Sequence, residues 1–343
     1  MENKTIKSGL IISLILLVVA VIFWQFTGKE PDADRQYEES YARDTRFYTT
    51  PLPATLDFAG EKVPLDVFYV REGLDREMLV NNYWHSNTML LLKRAYRYFP
   101  MIEAVLKKNG IPDDFKYLAL IESGLANVVS PSNAAGFWQF LDKTAQQYGL
   151  EVSTEVDERY HAVKATEAAC AYLKSSFEIY KNWTLAAASY NAGMGRITRE
   201  LNRQQVNNYY DLYLNAETTR YVYRIIALKL IYEHPTRYGY LLRHKDMYPP
   251  IPTYSVKIDT TIKNLITFAA AQNVNYRLLK EFNPWLRSDV LNVKPGKSYQ
   301  IDLPLPGYIT YSKLWFEMED ADSIFGRIPG ETPYPGSKHD TLH

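Results

Sequence analysis

Cysteine is almost absent from this sequence: Cys170 is the only one among 343 residues. One thiol cannot form an intramolecular disulfide, and it excludes the zinc scaffolds that are built from several cysteines. Cys170 falls inside a predicted helix, where a small buried apolar side chain is the usual role of a free cysteine.

Motifs for common cofactors are missing too. The six histidines show no HExxH spacing, which leaves a zinc peptidase without support. The glycine-rich patterns GxGxxG and GxxxxGK[ST] do not occur, so the usual nucleotide sites are excluded. We therefore expect neither a cofactor nor a metal.

Net charge is lacking as well, because 39 basic residues face 39 acidic ones. Such a balance gives no electrostatic basis for binding nucleic acid. The chain is 46% hydrophobic, so it can bury a core, and its length suits roughly two domains.

One long apolar run is present, from Gly9 to Phe26. At about 1.5 Å per residue in a helix it reaches about 27 Å, close to the thickness of the hydrocarbon layer of a membrane. Lys4 and Lys7 precede the run and acidic residues follow it, which predicts a cytoplasmic N-terminus and an outward-facing chain. The run ends without a small-residue cleavage site and no cysteine directly follows it, so we expect an uncleaved transmembrane anchor rather than a signal peptide or a lipoprotein.

Patterning divides the chain into six segments. They are a transmembrane anchor (1–28), a polar stalk (29–54), an N-terminal extension that packs on the next domain (55–110), a helical domain (111–245), a small C-terminal domain (250–305) and a tail (306–343). The predicted fold class is mainly α, and the tail is expected to be poorly ordered from Glu317.

Apolar spacing and breakers predict the individual elements. We expect a short strand pair around Gly60 and the helices Thr88–Phe99, Met101–Lys108, a segment ending at Gly124, Glu158–Tyr180, Trp183–Tyr190 and a last one from Glu217 to before Pro235. The long helix is expected to bury Val163, Ala169, Leu173 and Phe177 on one face. The C-terminal domain is predicted as β-α-α-β, with strands Tyr254–Ile258 and Tyr299–Leu303 around helices Asn264–Asn273 and Tyr276–Phe282.

Glu122 is the first candidate for chemistry. It follows two apolar residues and precedes Ser123-Gly124, so it lies at the negative end of a predicted helix. Both surroundings disfavour the ionised carboxylate and raise its pKa, which suits a general acid. Taken alone, however, this position favours an ordinary surface glutamate at a fraying helix end.

Three further blocks accompany it, each of which has an ordinary structural interpretation by itself. They are Gly136-Phe-Trp-Gln139, Ser189-Tyr190-Asn191-Ala-Gly193 and Glu217-Thr-x-x-Tyr221-Val222. Together with Ile121-Glu122-Ser123-Gly124, and in this order, they resemble the lysozyme-like domain of the family 1 lytic transglycosylases. The resemblance covers about Pro112 to Pro235, and it departs slightly at Ser189, where alanine is more usual.

The resemblance implies a function and a set of site residues. The enzyme would cleave the β-1,4 bond between N-acetylmuramic acid and N-acetylglucosamine in peptidoglycan without water, leaving 1,6-anhydromuramic acid ends. Glu122 would be the sole catalytic acid and base. Five further residues would bind substrate or arrange the site. Ser123 would orient the site, and Gln139 would line the cleft. Tyr190 would hydrogen-bond near the acid, Asn191 would hold the adjacent loop, and Tyr221 would pack beside the acid. Glu217 has the least certain part, since its role could be to cap its helix.

The C-terminal domain carries a second, weaker resemblance. Its strand Tyr254-Ser-Val-Lys257, the pair Asn283-Pro284 and the segment Gly296–Pro304 resemble a LysM glycan-binding repeat, with the usual Gly-Asp-Thr-Leu turn replaced by Asp259-Thr-Thr-Ile262. With the anchor, this implies a single-pass protein of a bacterial membrane whose catalytic domain faces the periplasm. Its partners would be peptidoglycan strands and the membrane.

Two other functions stay open at this point. A hydrolytic muramidase of goose-lysozyme type would need a carboxylate that holds a water molecule, for which Asp142 is a candidate by its nearness in sequence. A wall-binding scaffold with an inactive catalytic domain is the other alternative, and the intact Glu122, Gln139 and Tyr190 speak against it.

Overall fold

The structure is a computed structural model that describes residues 16–21, 34–36, 38–39, 47–318 and 322–326. Most of the predicted anchor lies outside these ranges; its residues 16–21 are helical. Within the described residues, no helix combines the length and apolarity needed to cross a membrane. The anchor therefore stays a prediction.

The described chain is mainly helical. In order it forms β1 (Asp57–Phe58), β2 (Glu61–Lys62), α1 (Phe68–Tyr83), α2 (His85–Asn109), α3 (Lys116–Ser123), α4 (Asp142–Gln147), α5 (Ala162–Tyr180), α6 (Trp183–Ala192), α7 (Met194–Gln204), α8 (Ala216–Glu233), β3 (Thr253–Ile258), α9 (Leu265–Ala271), α10 (Tyr276–Phe282), β4 (Tyr299–Pro304) and α11 (Tyr311–Phe316). The predicted strand pair, the α6 and α8 helices and the β-α-α-β unit are confirmed.

The region around Pro100 differs from its prediction. Two helices separated by Pro100 were expected, but α2 is one continuous helix with Pro100 inside it. Its buried stripe continues across the proline at steps of three and four residues, through Leu92, Ala95, Phe99 and Ile102, while Pro100 itself is exposed. Packing of this stripe outweighs the local cost of a proline, and the helix ends at Gly110 in the left-handed conformation, as predicted.

The start of the long helix α5 was also predicted wrongly. Residues Glu158–Tyr160 form a separate 3-10 turn, and α5 begins at Ala162. Consequently Val163, expected on the buried face, is 36% exposed, whereas Ala169 and Leu173 are buried as expected. Cys170 is fully buried in this helix, which confirms its packing role.

Helix α8 lies at the centre of the helical core. It contacts α1, α3 and α6, and Tyr221, Ile225 and Ile226 are almost completely buried along it. Val70, Leu74 and Met78 of α1 belong to the same cluster of buried apolar residues as α8, so the N-terminal extension is part of the helical core.

The C-terminal β-α-α-β unit pairs β3 with β4 in antiparallel register, from Thr253 opposite Pro304 to Ile258 opposite Tyr299. The unit packs directly on the segment before α5. The Asp157 amide donates to the Trp285 carbonyl at 2.9 Å, and the Arg287 amide donates to the Glu155 carbonyl at 2.8 Å. Both domains contribute to one shared apolar cluster.

Part of the tail is ordered, contrary to expectation. The Phe325 amide donates to the Leu242 carbonyl at 2.8 Å, and the His244 amide donates to the Ser323 carbonyl at 3.0 Å. The Phe325 ring contacts Tyr232 edge-on at a centroid distance of 5.3 Å. Burial of this aromatic side chain explains why residues 322–326 return to the helical core.

Candidate active site

The candidate acid Glu122 occupies the last turn of α3. The helix buries six consecutive residues, Lys116 to Ile121, so its polar end is forced to the surface of the core. It terminates at Gly124, which adopts φ 61° and donates its amide to the Leu120 carbonyl at 2.9 Å. Glycine suits this left-handed position, and its conformation fixes where the Glu122 side chain leaves the helix.

The electrostatic surroundings of Glu122 raise its pKa from 4.5 to about 7. Burial is the largest cause, because removing water disfavours the charged carboxylate. A hydrogen bond from Tyr221 and the positive charge of Arg224 act in the opposite direction, and the charge of Glu217 adds a smaller upward contribution. The predicted direction of the shift is confirmed, although burial rather than the helix dipole is its main origin.

Tyr221 contacts the acid directly, as the sequence predicted. Its buried hydroxyl donates to Glu122 Oε1 from the neighbouring helix α8. One helical turn further on, Arg224 Nη2 donates to the Ile121 carbonyl at 3.1 Å. Arg224 was missed by sequence reasoning, although its position three residues after Tyr221 places it on the same face of α8.

Ser123 and Gln139 organise the loop opposite α3. The Ser123 hydroxyl donates to the Phe137 carbonyl at 2.8 Å and accepts from the Leu125 amide at 3.1 Å. Gln139 has φ 48°, and its Nε2 donates to the carbonyls of Gly136 at 2.8 Å and Val128 at 3.1 Å. Both side chains therefore tie loop 128–139 together beside the acid.

Tyr190 was expected to form a hydrogen bond near the acid. Its hydroxyl donates to the Trp138 carbonyl at 2.8 Å. The ring is nevertheless close enough for the charge of Glu122 to contribute to its raised pKa, after the larger effect of burial. Tyr190 thus fixes the loop from the side of α6.

Asn191 joins the ends of two helices. Its Nδ2 donates to Glu217 Oε1 at 3.0 Å, and its Oδ1 accepts from Thr218 Oγ1 at 2.8 Å. Asn191 therefore holds the end of α6 to the start of α8, and Glu217 serves as its partner in the first turn of α8.

A cavity of about 330 Å³ opens beside the acid, with Glu122 and Ser123 in its wall. A second wall comes from α1 and α2, before the region of the family resemblance. Trp84, Asn87 and Arg94 line that wall and were not singled out from the sequence.

Comparison with known proteins agrees with this geometry. Residues 99–212 match the model of the transglycosylase SLT domain, and residues 254–307 match that of the soluble lytic transglycosylase C-terminal LysM-like domain. Residues 99–212 are therefore similar to an SLT domain and are called the SLT domain here. Two relatives, from Escherichia coli strains K12 and O6:H1 (CFT073), are each named membrane-bound lytic murein transglycosylase D. Each is 27% identical over 236 residues, which is 67% of this chain and 50% of the relative. The chain therefore spans about half the length of the curated relatives that it matches.

Within the SLT domain, Arg159 is a further residue that sequence reasoning missed. Its Nη1 donates to the Asn133 carbonyl at 2.9 Å and to the Phe140 carbonyl at 3.2 Å, so it holds both ends of the loop that carries Gln139. Its guanidinium pairs with Asp157 at 2.7 Å and with Asp142. Asp142, the candidate for holding a water molecule, thus has a structural partner.

Ser189, the one departure from the usual block, also has a local explanation. Its hydroxyl is fully buried and lies 2.6 Å from the hydroxyl of Ser176 on α5. Tyr172 of α5 donates to the Ser189 carbonyl at 2.7 Å. The serine therefore forms a buried polar contact between α5 and α6 that alanine could not form.

Proposed function

We propose that this protein is a peptidoglycan lytic transglycosylase that cleaves the β-1,4 bond between N-acetylmuramic acid and N-acetylglucosamine and leaves 1,6-anhydromuramic acid ends. The observation that carries the proposal is the state of Glu122. Inside the SLT domain, this carboxyl has a pKa raised to about 7 and lines an open cavity.

In the first half of the proposed reaction, Glu122 donates its proton to the glycosidic oxygen. A pKa near 7 keeps much of the carboxyl protonated at neutral pH, so that the acid is available to the leaving group. The bond between the muramyl C1 and this oxygen then breaks, and the sugar's N-acetyl carbonyl oxygen stabilises the cationic carbon.

In the second half, the Glu122 carboxylate removes the proton from the C6 hydroxyl of the same sugar. The C6 oxygen forms a bond to C1 and closes the 1,6-anhydro ring, while Glu122 regains its proton. No water is consumed, which explains why one carboxylate suffices where a glycosidase ordinarily uses two. Tyr221 and Arg224 support this half, because their hydrogen bond and charge favour the carboxylate.

The other predicted site residues have positioning roles in this proposal. Ser123 holds the Phe137 carbonyl of the loop, and Tyr190 holds the Trp138 carbonyl. Gln139 lines the cleft that this loop borders. Asn191 keeps α6 aligned with α8, and thereby keeps Tyr221 against the acid.

We further propose that the apolar run from Gly9 to Phe26 anchors the protein in a bacterial membrane with the SLT domain in the periplasm. The name of the two relatives, membrane-bound lytic murein transglycosylase D, and the charges that flank the run support this location. The LysM-like domain would add contacts to glycan strands.

The replacement Glu122→Gln tests the assignment of the acid. Glutamine keeps the shape and hydrogen-bonding capacity of the side chain but cannot deliver a proton. One side chain acting as acid and base accounts for about 10²–10⁴-fold in rate, so clearing of purified peptidoglycan in a zymogram should fall by at least about 10³-fold. The matched variant Tyr190→Phe removes only one positioning hydrogen bond and should lose much less. Retention of more than a few per cent of activity by Glu122→Gln would show that another group is the acid.

A further inference from the structure

One wall of the cavity that Glu122 lines is built by a part of the chain outside the SLT match. Helices α1 and α2 meet at Trp84, and Val80, Trp84 and Leu91 supply apolar surface to the cavity. Asn81, Asn87 and Arg94 supply polar groups beside them. All of these residues precede residue 99, where the SLT match begins.

Hydrogen bonds fix the corner between α1 and α2. The Trp84 amide donates to the Val80 carbonyl at 3.1 Å, and the Thr88 hydroxyl donates to the Asn81 carbonyl at 2.6 Å. Tyr240, from beyond α8, donates its hydroxyl to the same Asn81 carbonyl at 3.1 Å. Trp84 therefore projects from a rigid backbone, yet its side chain is 59% exposed.

The corner is also held at a fixed position relative to the acid. Arg94 Nη1 donates to the Gly124 carbonyl at 3.3 Å, two residues after Glu122. A Cβ atom on Gly124 would lie 3.0 Å from Leu91 Cδ2, so α2 approaches the end of α3 closely. The α1–α2 corner therefore lines the same cavity as Glu122.

The chemistry of the wall favours a neutral polar ligand. Two guanidinium groups, on Arg94 and Arg224, and two carboxyl groups, on Glu77 and Glu122, line the cavity. Because Glu122 is partly protonated near neutral pH, the lining carries only a small net positive charge. The carboxylate of Glu77 is already paired with Arg220 at 2.6 Å. The Asn81 amide already donates to the Glu77 carbonyl at 2.8 Å. The exposed Trp84 ring therefore lies in a wall with the Asn87 amide and the Arg94 guanidinium, an arrangement that suits a flat apolar ring face with hydroxyl and acetamido groups at its edge.

We propose that the α1–α2 corner is a sugar-binding subsite, in which Trp84 stacks on an N-acetylhexosamine ring of the strand and Asn87 and Arg94 hydrogen-bond to its polar edge. The proposal deepens the proposed function and rests on it for the presence of a glycan strand at Glu122. It extends the substrate cleft to residues 80–94, which the SLT match does not include.

The test uses the full-length Glu122→Gln protein and a soluble probe, the tetramer of β-1,4-linked N-acetylglucosamine, which carries no peptide. Tetramer affinity is measured by calorimetry for Glu122→Gln alone and combined with Trp84→Ala, Trp84→Phe or Trp315→Ala. Trp315 is the matched control, since it is 43% exposed but does not line the cavity. Loss of an aromatic anchor should weaken binding about ten-fold in Trp84→Ala, with partial recovery in Trp84→Phe and no change in Trp315→Ala.

Equal affinity of the Trp84→Ala and Trp315→Ala proteins would overturn the subsite. So would an effect that appears only with peptide-bearing glycans, since the corner would then recognise the peptide stem. Catalysis is measured separately on proteins that keep Glu122. If these fail to cleave peptidoglycan but tetramer binding depends on Trp84, the subsite stands and the proposed function fails.

Discussion

Replacing Glu122 by glutamine is expected to stabilise the fold at neutral and alkaline pH. Burial raises the pKa of this carboxyl from 4.5 to about 7 in the folded protein. Between these two values the folded state holds a proton that the unfolded chain has released, so the free energy of unfolding falls as pH rises through this window. Glutamine has no proton to lose and escapes the penalty.

The size of the effect follows from the shift. A difference of 2.5 pKa units, from 4.5 to 7, corresponds to about 3 kcal/mol at most above pH 7. The cavity admits solvent to the carboxyl, which reduces this value, so we expect about 1–3 kcal/mol. In a domain of this size that corresponds to a rise in Tm of roughly 3–10 °C.

The assay is thermal unfolding of wild type and Glu122→Gln between pH 4.5 and 8.5. The difference in Tm should be small at pH 4.5 and should widen steadily to pH 8. Glu200→Gln is the matched control, because hydrogen bonds from Arg203 and Gln204 lower the pKa of Glu200, and its removal should act in the opposite direction at neutral pH. A Tm difference for Glu122→Gln that does not change with pH would refute the reasoning.

Three further predictions follow from other contacts. Tyr221→Phe removes a hydrogen bond that favours the Glu122 carboxylate, so the alkaline limb of the kcat/KM profile against pH should move up by about one unit, and a downward move would contradict this. Gly136→Ala should lower the free energy of unfolding in urea by at least about 3 kcal/mol, because the new Cβ would lie 1.9 Å from a backbone oxygen. The control Gly149→Ala should lower it by only about 1 kcal/mol, because Gly149 has a positive φ but open space around it. Truncation after Pro250 uncovers apolar side chains of the SLT domain and should lower its Tm by at least about 5 °C, whereas an unchanged Tm would show that the LysM-like domain is a separable module.

The sequence predicted those features that depend on residues close together in the chain, such as helix ends and strand alternation. Gly124 ends α3 because a glycine accepts the left-handed conformation, and that end places Glu122 where the sequence indicated. The position of Tyr221 beside the acid came from the family resemblance, and local sequence predicted only that its block opens a helix. The β-α-α-β unit was recognised from alternation followed by helical spacing and a second alternating strand.

The features that sequence analysis missed depend on contacts between residues far apart in the chain. Pro100 looked like a helix boundary, yet packing of the stripe on either side of it keeps α2 continuous. Arg159 holds a loop that begins 26 residues earlier in the chain, and Trp84 lines the same cavity as Glu122. Neither position can be predicted from helical or strand periodicity, because only the tertiary structure brings these residues to the site.

The most direct test of the central claim is the mass of the products released from purified peptidoglycan, measured for wild type beside Glu122→Gln. The account predicts that wild type releases fragments ending in 1,6-anhydromuramic acid, each one water lighter than the corresponding hydrolysis product, and that Glu122→Gln releases almost none. Reducing muramic acid ends from wild type would contradict it and would identify the protein as a hydrolase, even with Glu122 as the acid.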